Sequence, residues 1–427
     1  MLKYNQPAEE FIPILYKGKQ NLPIKSICQI SQNELCLGTD GKGTKIFNIP
    51  KQLITDYPFD NNYLDSGTSK VHSVLKDNAG NLWIAIYQKG VMMIPAQPNS
   101  FKYIGYKSIN KNIIGSNCIT SLCRDHEGIL WIGTDNDGIY GITTELKQKV
   151  HYAPHDSPSS VPSTVFGLYE DSEHNLWFGS YTNGLGRLDK KTGQCSYLQN
   201  LTDKNGNRIQ RVYDLVEDQD KRLWIATMGA GLFYYDLKTG QSVYDPKFNA
   251  ATKKYKWISC LLYAGDNHLY VGTYDGIRCI DLSTDDFKTE EILSRHIIHS
   301  LYEDPQGNIW IGNSEGLAEW NPQTQQLKTY TTAHGLSSNA VYAIKGDGQD
   351  NLWISTNAGM SRFNLNTHTF SNFYADDGLQ GNEFSKNASF ADHNGILWFG
   401  GTNGITYFNP QEITNPAKKW NVRIIDF

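Results

Sequence analysis

Short apolar runs with a period-two alternation fill this chain, broken by Gly, Asn and Asp, and one arrangement of them returns every 40 to 48 residues. Seven copies share a core of the form DHEGILWIG (Asp125 to Gly133) or DPQGNIWIG (Asp304 to Gly312). Two weaker copies begin at Asn33 and Asn267 and place Cys36 and Tyr270 in the Trp column. The nine anchors are Cys36, Trp83, Trp131, Trp177, Trp224, Tyr270, Trp310, Trp353 and Trp398. Period-two alternation predicts half-buried β-strands rather than helices.

Each column predicts an element. An apolar run such as Val165-Phe166-Gly167-Leu168-Tyr169 is a first strand. The acidic residue six before the anchor opens a turn, its carboxylate accepting a backbone N–H two residues on. The Leu-Trp-Ile-Gly-Thr stretch is a second strand, since Trp, Ile and Thr suit a pleated surface. Two residues past the anchor the side chain is always small (Gly38, Ala85, Gly133, Gly179, Ala226, Gly272, Gly312, Ser355, Gly400), which predicts close approach of a neighbouring backbone. A Gly six or seven residues past the anchor supplies a hairpin turn. A third strand and a more polar fourth follow. Four antiparallel strands per repeat predict an all-β protein, a β-propeller of four-stranded antiparallel blades.

Nine repeats leave two arrangements open. In one, residues 1–112 hold two blades that end a first propeller, 113–413 form a seven-bladed ring, and 414–427 are a linker and the first strand of a truncated immunoglobulin-like domain. In the other, a single nine-bladed ring takes its missing outer strand from Phe11 to Leu15.

Composition narrows the function. The net charge of −5 argues against a nucleic-acid partner, which needs a basic face. No apolar run approaches the roughly 20 residues of a membrane-spanning helix, and the N-terminus carries no signal-peptide hydrophobic stretch. Seven cysteines without regular spacing make neither a disulfide framework nor a zinc motif and read as small strand residues. The Asp column lacks the spaced oxygens of a calcium loop. His151 and His155 lie in a Pro/Ser-rich stretch that aligns no metal ligands. We expect no metal, no cofactor and no catalytic residue.

The string D-x-x-G-x-L-W-I-G-T, followed by a turn Gly and an aromatic strand, resembles the two-component regulator propeller repeat across residues 20–413. The segment Asp377 to Phe384, followed by Phe399 to Ile405, is similar to the last blade of such proteins, and Trp420 to Phe427 to the strand that opens their immunoglobulin-like domain. That repeat occurs in sensor ectodomains of bacterial hybrid two-component systems, particularly in Bacteroides. The resemblance implies a periplasmic ectodomain sensing oligosaccharides, in a homodimeric parent whose kinase is absent here. Nine repeats instead of fourteen imply that the chain is a fragment.

Strand order puts the loop after each second strand on the same face as the entry to the next first strand, and the Asp-turns on the opposite face. Loops converging on the axis of that first face are the expected binding surface. Candidate ligand-binding residues are Asp135, Asn136, Tyr181, Asn183, Met228, Tyr274, Asn313, Asn357 and Asn403 at second-strand exits. Arg211, Asn339, Glu383 and Asn387 stand at first-strand entries. Aromatic faces stack on sugar rings, while the Asn and Asp residues also suit turns. The alternatives are a protein-interaction scaffold, and a propeller lyase or glycosidase built on Glu383, for which no partner carboxylate is evident.

Overall fold

A computed structural model describes residues 2–14, 16, 22–57, 68–94, 96, 100–106, 112–115, 118–143, 145–203, 205–244, 256–283 and 287–413. The expected linker and immunoglobulin-like strand at 414–427 lie outside them. The chain forms two compact units, one of residues 1–99 and 107–110, the other of residues 100–106 and 111–427.

Among the described residues, the first unit holds one four-stranded antiparallel sheet (Ile24–Ser31, Glu34–Thr39, Thr44–Asn48, Leu53–Asp56). A three-stranded sheet follows (Val71–Lys76, Leu82–Ile86, Gly90–Ile94). A separate hairpin pairs Leu2–Asn5 with Glu10–Pro13.

Among the described residues, the second unit contains seven four-stranded antiparallel sheets. Their first strands are Cys118–Arg124, Val165–Glu170, Val212–Glu217, Ile258–Ala264, Ile298–Glu303, Val341–Gly346 and Phe384–Ala391. Each packs against the first strand of the next sheet, and the seventh packs against the first, so the series returns to its start. The small column explains how the sheets come so close. A Cβ added to Gly179 would stand 2.6 Å from the Val212 carbonyl oxygen, and one on Gly312 2.6 Å from Val341 Cγ1. One on Gly400, in the last sheet, would stand 2.7 Å from Ile119 Cγ2 in the first.

The seventh sheet is completed from upstream. Its second and third strands are Leu397–Gly401 and Gly404–Phe408, and its outer strand is Lys102–Ile104. Phe101 holds that strand in place. It is buried, with its ring 4.8 Å from Phe408 and 5.1 Å from Phe373. This differs from the expected boundary at 113. It also differs from the nine-bladed alternative, because Glu10–Pro13 pairs within its own hairpin. Lys102–Ile104 follows the three-stranded sheet in sequence but belongs to the last.

The Asp column does more than turn the chain. Asp171 accepts the N–H groups of Glu173 (2.9 Å) and Asn175 (2.8 Å), while its second oxygen accepts the indole N–H of the anchor Trp177 (2.6 Å). Asp77, Asp125, Asp218 and Asp304 bind Trp83, Trp131, Trp224 and Trp310 in the same way, each at 2.8 Å. The six-residue spacing is therefore the reach of a carboxylate from turn to anchor. In the last two sheets the bond is missing: the indole nitrogens of Trp353 and Trp398 are buried without a partner. Asp392 instead pairs with Arg124 at 3.3 Å. The Trp column is core in the second unit, whereas Trp83 in the first is 40% exposed.

Candidate functional site

Every first strand in the second unit breaks register with its second strand near its entry. The shifts fall at Ile119/Ser121, Val165/Gly167, Val212/Asp214, Ile258/Cys260, Ile298/Ser300 and Val341/Ala343. In the seventh sheet the shift runs from Phe384 to Ser389. The residue left over in a bulge is freed from the ladder, and its side chain can be re-aimed. The freed residues are Thr120, Phe166, Tyr213, Ser259, His299 and Tyr342, with the longer excursion 385–388 in the seventh sheet.

Thr120, Phe166, Tyr213 and Tyr342 join Glu383, Lys386 and Asn387 around a cavity of about 230 Å³. Cys118, Phe384, Ser385 and Thr402 complete its lining. These residues come from five sheets, so the cavity lies where the first strands converge, on the face of their entries. Phe166 and Tyr213 stack at 4.6 Å with an interplanar angle of 23°. Tyr181 meets Phe166 edge-on at 5.8 Å, and the Arg211 guanidinium sits 4.9 Å over Tyr181. Across the cavity, Tyr342 carries the Lys386 ammonium at 5.7 Å and the His299 ring at 5.4 Å.

A polar contact joins opposite parts of the hub. Asn387, at φ +55°, donates to Asp214 at 3.1 Å, linking the seventh sheet to the third. Asp214 also accepts the N–H groups of Leu261 and Leu215, each at 2.9 Å. Burial pushes the Asp214 carboxyl up to about 6 against the pull of those donors and of Lys345. Burial likewise lowers the ammonium groups of Lys345 and Lys386. His299 falls to about 3 through burial and the nearby Lys386 charge, so its imidazole is neutral at pH 7. Burial raises the Tyr213 hydroxyl to about 12, which leaves it protonated as a donor.

Of the residues nominated from sequence, Glu383 and Asn387 line the cavity, and Tyr181 with Arg211 forms the pair beside it. Met228 bridges to Trp257, whose carbonyl accepts the Tyr274 N–H at 3.0 Å. The remaining residues hold loops. Asp135 accepts from Thr164 (3.0 Å), and Asn136 sits at φ +106° with its N–H on Ser163. Asn183 donates its N–H to Ser180 Oγ (2.8 Å), and Asn313, buried, accepts the Glu315 N–H (2.7 Å). Asn339 accepts the Thr332 N–H (2.8 Å) and Asn357 the Ser338 hydroxyl (2.6 Å). The Asn403 side chain accepts the Tyr106 hydroxyl at 3.1 Å.

Sequence reasoning missed Thr120, Phe166, Tyr213, Tyr342 and Lys386. A signal for most of them exists. The second residue of the first-strand run varies among Thr, Phe, Tyr, Ser and His, between neighbours that stay apolar or small in most copies. Variation at one place in a repeated strand marks a position the shared packing does not dictate.

Residues 113–136, 159–182, 203–229, 292–315 and 335–358 match the family described as two-component regulator propeller. A histidine kinase of Formosa agariphila is 24% identical over 416 residues, spanning 95% of this chain and 23% of that protein. The extracellular domain of a putative hybrid two-component system from B. thetaiotaomicron superposes with a TM-score of 0.77 at 23% identity, over 96% of this chain and 53% of that one. A second such domain from the same organism gives a TM-score of 0.62 at 19% identity, over 95% and 55%. The chain thus spans about a quarter of the kinase and about half of each extracellular domain. Among the described residues no helix is long and apolar enough to cross a membrane. The repeats, the sheet series they build and these matches agree: five stretches of the chain match the two-component regulator propeller, and its fold is that of these extracellular domains.

Proposed function

We propose that this chain is the ligand-sensing region of a hybrid two-component sensor, periplasmic in its parent, and that the axial cavity is its ligand site. The ligand class is an oligosaccharide released from a polysaccharide, and the signal passes to a kinase outside this chain. The observation that carries the reading is the convergence of bulged aromatic residues, Phe166 and Tyr213 against Tyr342, on one cavity with Lys386, Glu383 and Asn387 as polar groups. Sugar-binding sites combine a flat apolar face with a few directional donors and acceptors. The cavity is small beside the roughly 300–1,000 Å³ of a typical ligand pocket, so one terminal ring enters it. The exposed faces of Tyr181 and Trp257 receive the next units. On this reading the seven sheets of the second unit, the last completed by Lys102–Ile104, form one ring, two preceding blades close a first propeller, and the parent is a dimer.

Binding can move the parent only by its differential affinity for the two signalling states. The test is calorimetry of the chain against oligosaccharides from partial digests of neutral and acidic polysaccharides. The expected result is saturable binding by one class that weakens tenfold or more in Phe166→Ala. Flat traces across the panel, for this chain and for a version extended by further repeats, would remove the saccharide reading.

A further inference from the structure

On the Asp-turn face, opposite the cavity, His126, Glu170 and His174 each bring a ligand atom within 4.8 Å of the others. His126 follows Asp125 in the turn of the first sheet, Glu170 ends the first strand of the second sheet, and His174 lies in that sheet's turn. The two imidazoles stack with centroids 3.7 Å apart. Glu170 is already oriented: one oxygen accepts the His126 N–H at 2.7 Å, and the other lies 2.8 Å from His126 Nδ1.

The neighbouring seam is an internal control. There Ser172, Glu217 and Lys221 occupy the equivalent positions. The Ser172 N–H donates to Glu217 at 2.7 Å, and the Lys221 ammonium bonds the Ser172 hydroxyl and lies 3.5 Å from Glu217. A cationic side chain thus fills the space between the two turns. In the first seam two imidazoles border the corresponding space, and the Lys190 ammonium lies 2.7 Å from Glu170 Oε1, the oxygen that faces His126 Nδ1, while also holding Asp125 at 3.2 Å. His174 sits at φ +66°, where other turns use Gly128, Gly307 and Gly395. Glycine is the easier residue there, and the neighbouring seam likewise places a non-glycine side chain, Lys221 at φ +70°, between the turns.

We infer that His126, Glu170 and His174 form a binding site for zinc or a similar borderline divalent cation, which ties together the turns of two adjacent sheets. Two imidazole nitrogens and one carboxylate oxygen are a zinc ligand set, with a water in the fourth position. Ligands about 2.0–2.1 Å from a tetrahedral zinc stand roughly 3.3 Å apart. Both histidines are exposed, so rotation of their side chains can close the remaining distance. Lys190 then keeps Asp125 as its partner.

The probes are Co²⁺ and Zn²⁺ with the full chain. One equivalent of Co²⁺ is expected to give ligand-field absorption without a thiolate charge-transfer band, and Zn²⁺ to displace it. His174→Gly suits the backbone and is expected to fold while weakening zinc at least about tenfold, since one of three ligands is gone. His126→Gln is expected to do the same. Retention of zinc affinity in both folded variants would overturn the inference, as would failure of the parent chain to take zinc from a weak chromophoric chelator.

Discussion

The Asp-to-indole bond should make one repeat much more sensitive than another to the same substitution. Asp304 accepts the N–H groups of Gln306 (3.0 Å) and Asn308 (2.9 Å), the Asn308 side chain (3.0 Å) and the Trp310 indole (2.8 Å). Asp347 accepts the matching bonds from Gln349 (2.9 Å) and Asn351 (3.1 and 2.7 Å), but none from Trp353. In Asp304→Ala the turn donors can be rehydrated, while the Trp310 nitrogen, on a side chain 1% exposed, cannot. A hydrogen bond to a charged group contributes about 1.5–3 kcal/mol net, and a buried orphaned donor costs about 1–3 kcal/mol. Asp304→Ala is therefore expected to cost about 3–4 kcal/mol, and Asp347→Ala about 1–2 kcal/mol. Asp304→Asn should resemble Asp304→Ala, because its amide cannot serve both the turn and the indole. Both sites lie in one unit, so guanidinium unfolding followed by circular dichroism compares them against the same reference. Equal losses, or a larger loss at Asp347, would refute the assignment of the anchor bond as the dominant contribution.

Other expectations follow from the hub and the packing. Because the folded Asp214 carboxyl titrates near 6 instead of 3.8, its contribution favours folding at low pH and is lost as pH rises through about 6. Asp214→Asn should gain on the parent by about 3 kcal/mol between pH 4 and 7; a difference between variant and parent that stays constant over that range would show the group is not perturbed. A Cβ on Gly312 would stand 2.4 Å from Ser300 Oγ, so Gly312→Ala should cost about 1–3 kcal/mol by overpacking. Ser355→Ala, at the equivalent position, should stay within about 1 kcal/mol, and thermal unfolding compares the two. Phe166→Ala should weaken saccharide binding while leaving the far-UV spectrum intact, because Phe166 is not part of the ladder.

What the repeats share was legible and what they do not share was not. The anchor column, the small column and the turn glycines each answer to a local or nearest-neighbour constraint that every copy must meet. Their meaning could be read from residue type alone, as with Gly133 against Val165. The indole bond was hidden because a six-residue interval does not reveal that a turn folds a carboxylate back onto its own strand. The outer strand Lys102–Ile104 was assigned to its sequence neighbours because pairing with Phe408's strand is set by closure, which no local pattern encodes. The cavity was half legible. Strand order pointed to its face, and Glu383 and Asn387 were among the candidates. Phe166, Tyr213 and Tyr342 looked like ordinary members of apolar runs, because a bulge changes a side chain's direction without changing the alternation around it. Several nominated Asn and Asp residues hold turns, the other role their chemistry suits.

The clasp between Lys102–Ile104 and the strand ending at Phe408 bears on how such a molecule can be made. Tyr103 donates its hydroxyl to the Asn403 carbonyl across 300 positions of sequence. During synthesis the early partner waits, unmatched, while six complete sheets emerge, and only the last hairpin lets the circle shut. Contacts so remote form slowly. Once made, this joint is also where the second unit's earliest and latest strands meet, so that unit, reconnected there and cut in another hairpin, would keep its shape while reversing the timetable of its assembly.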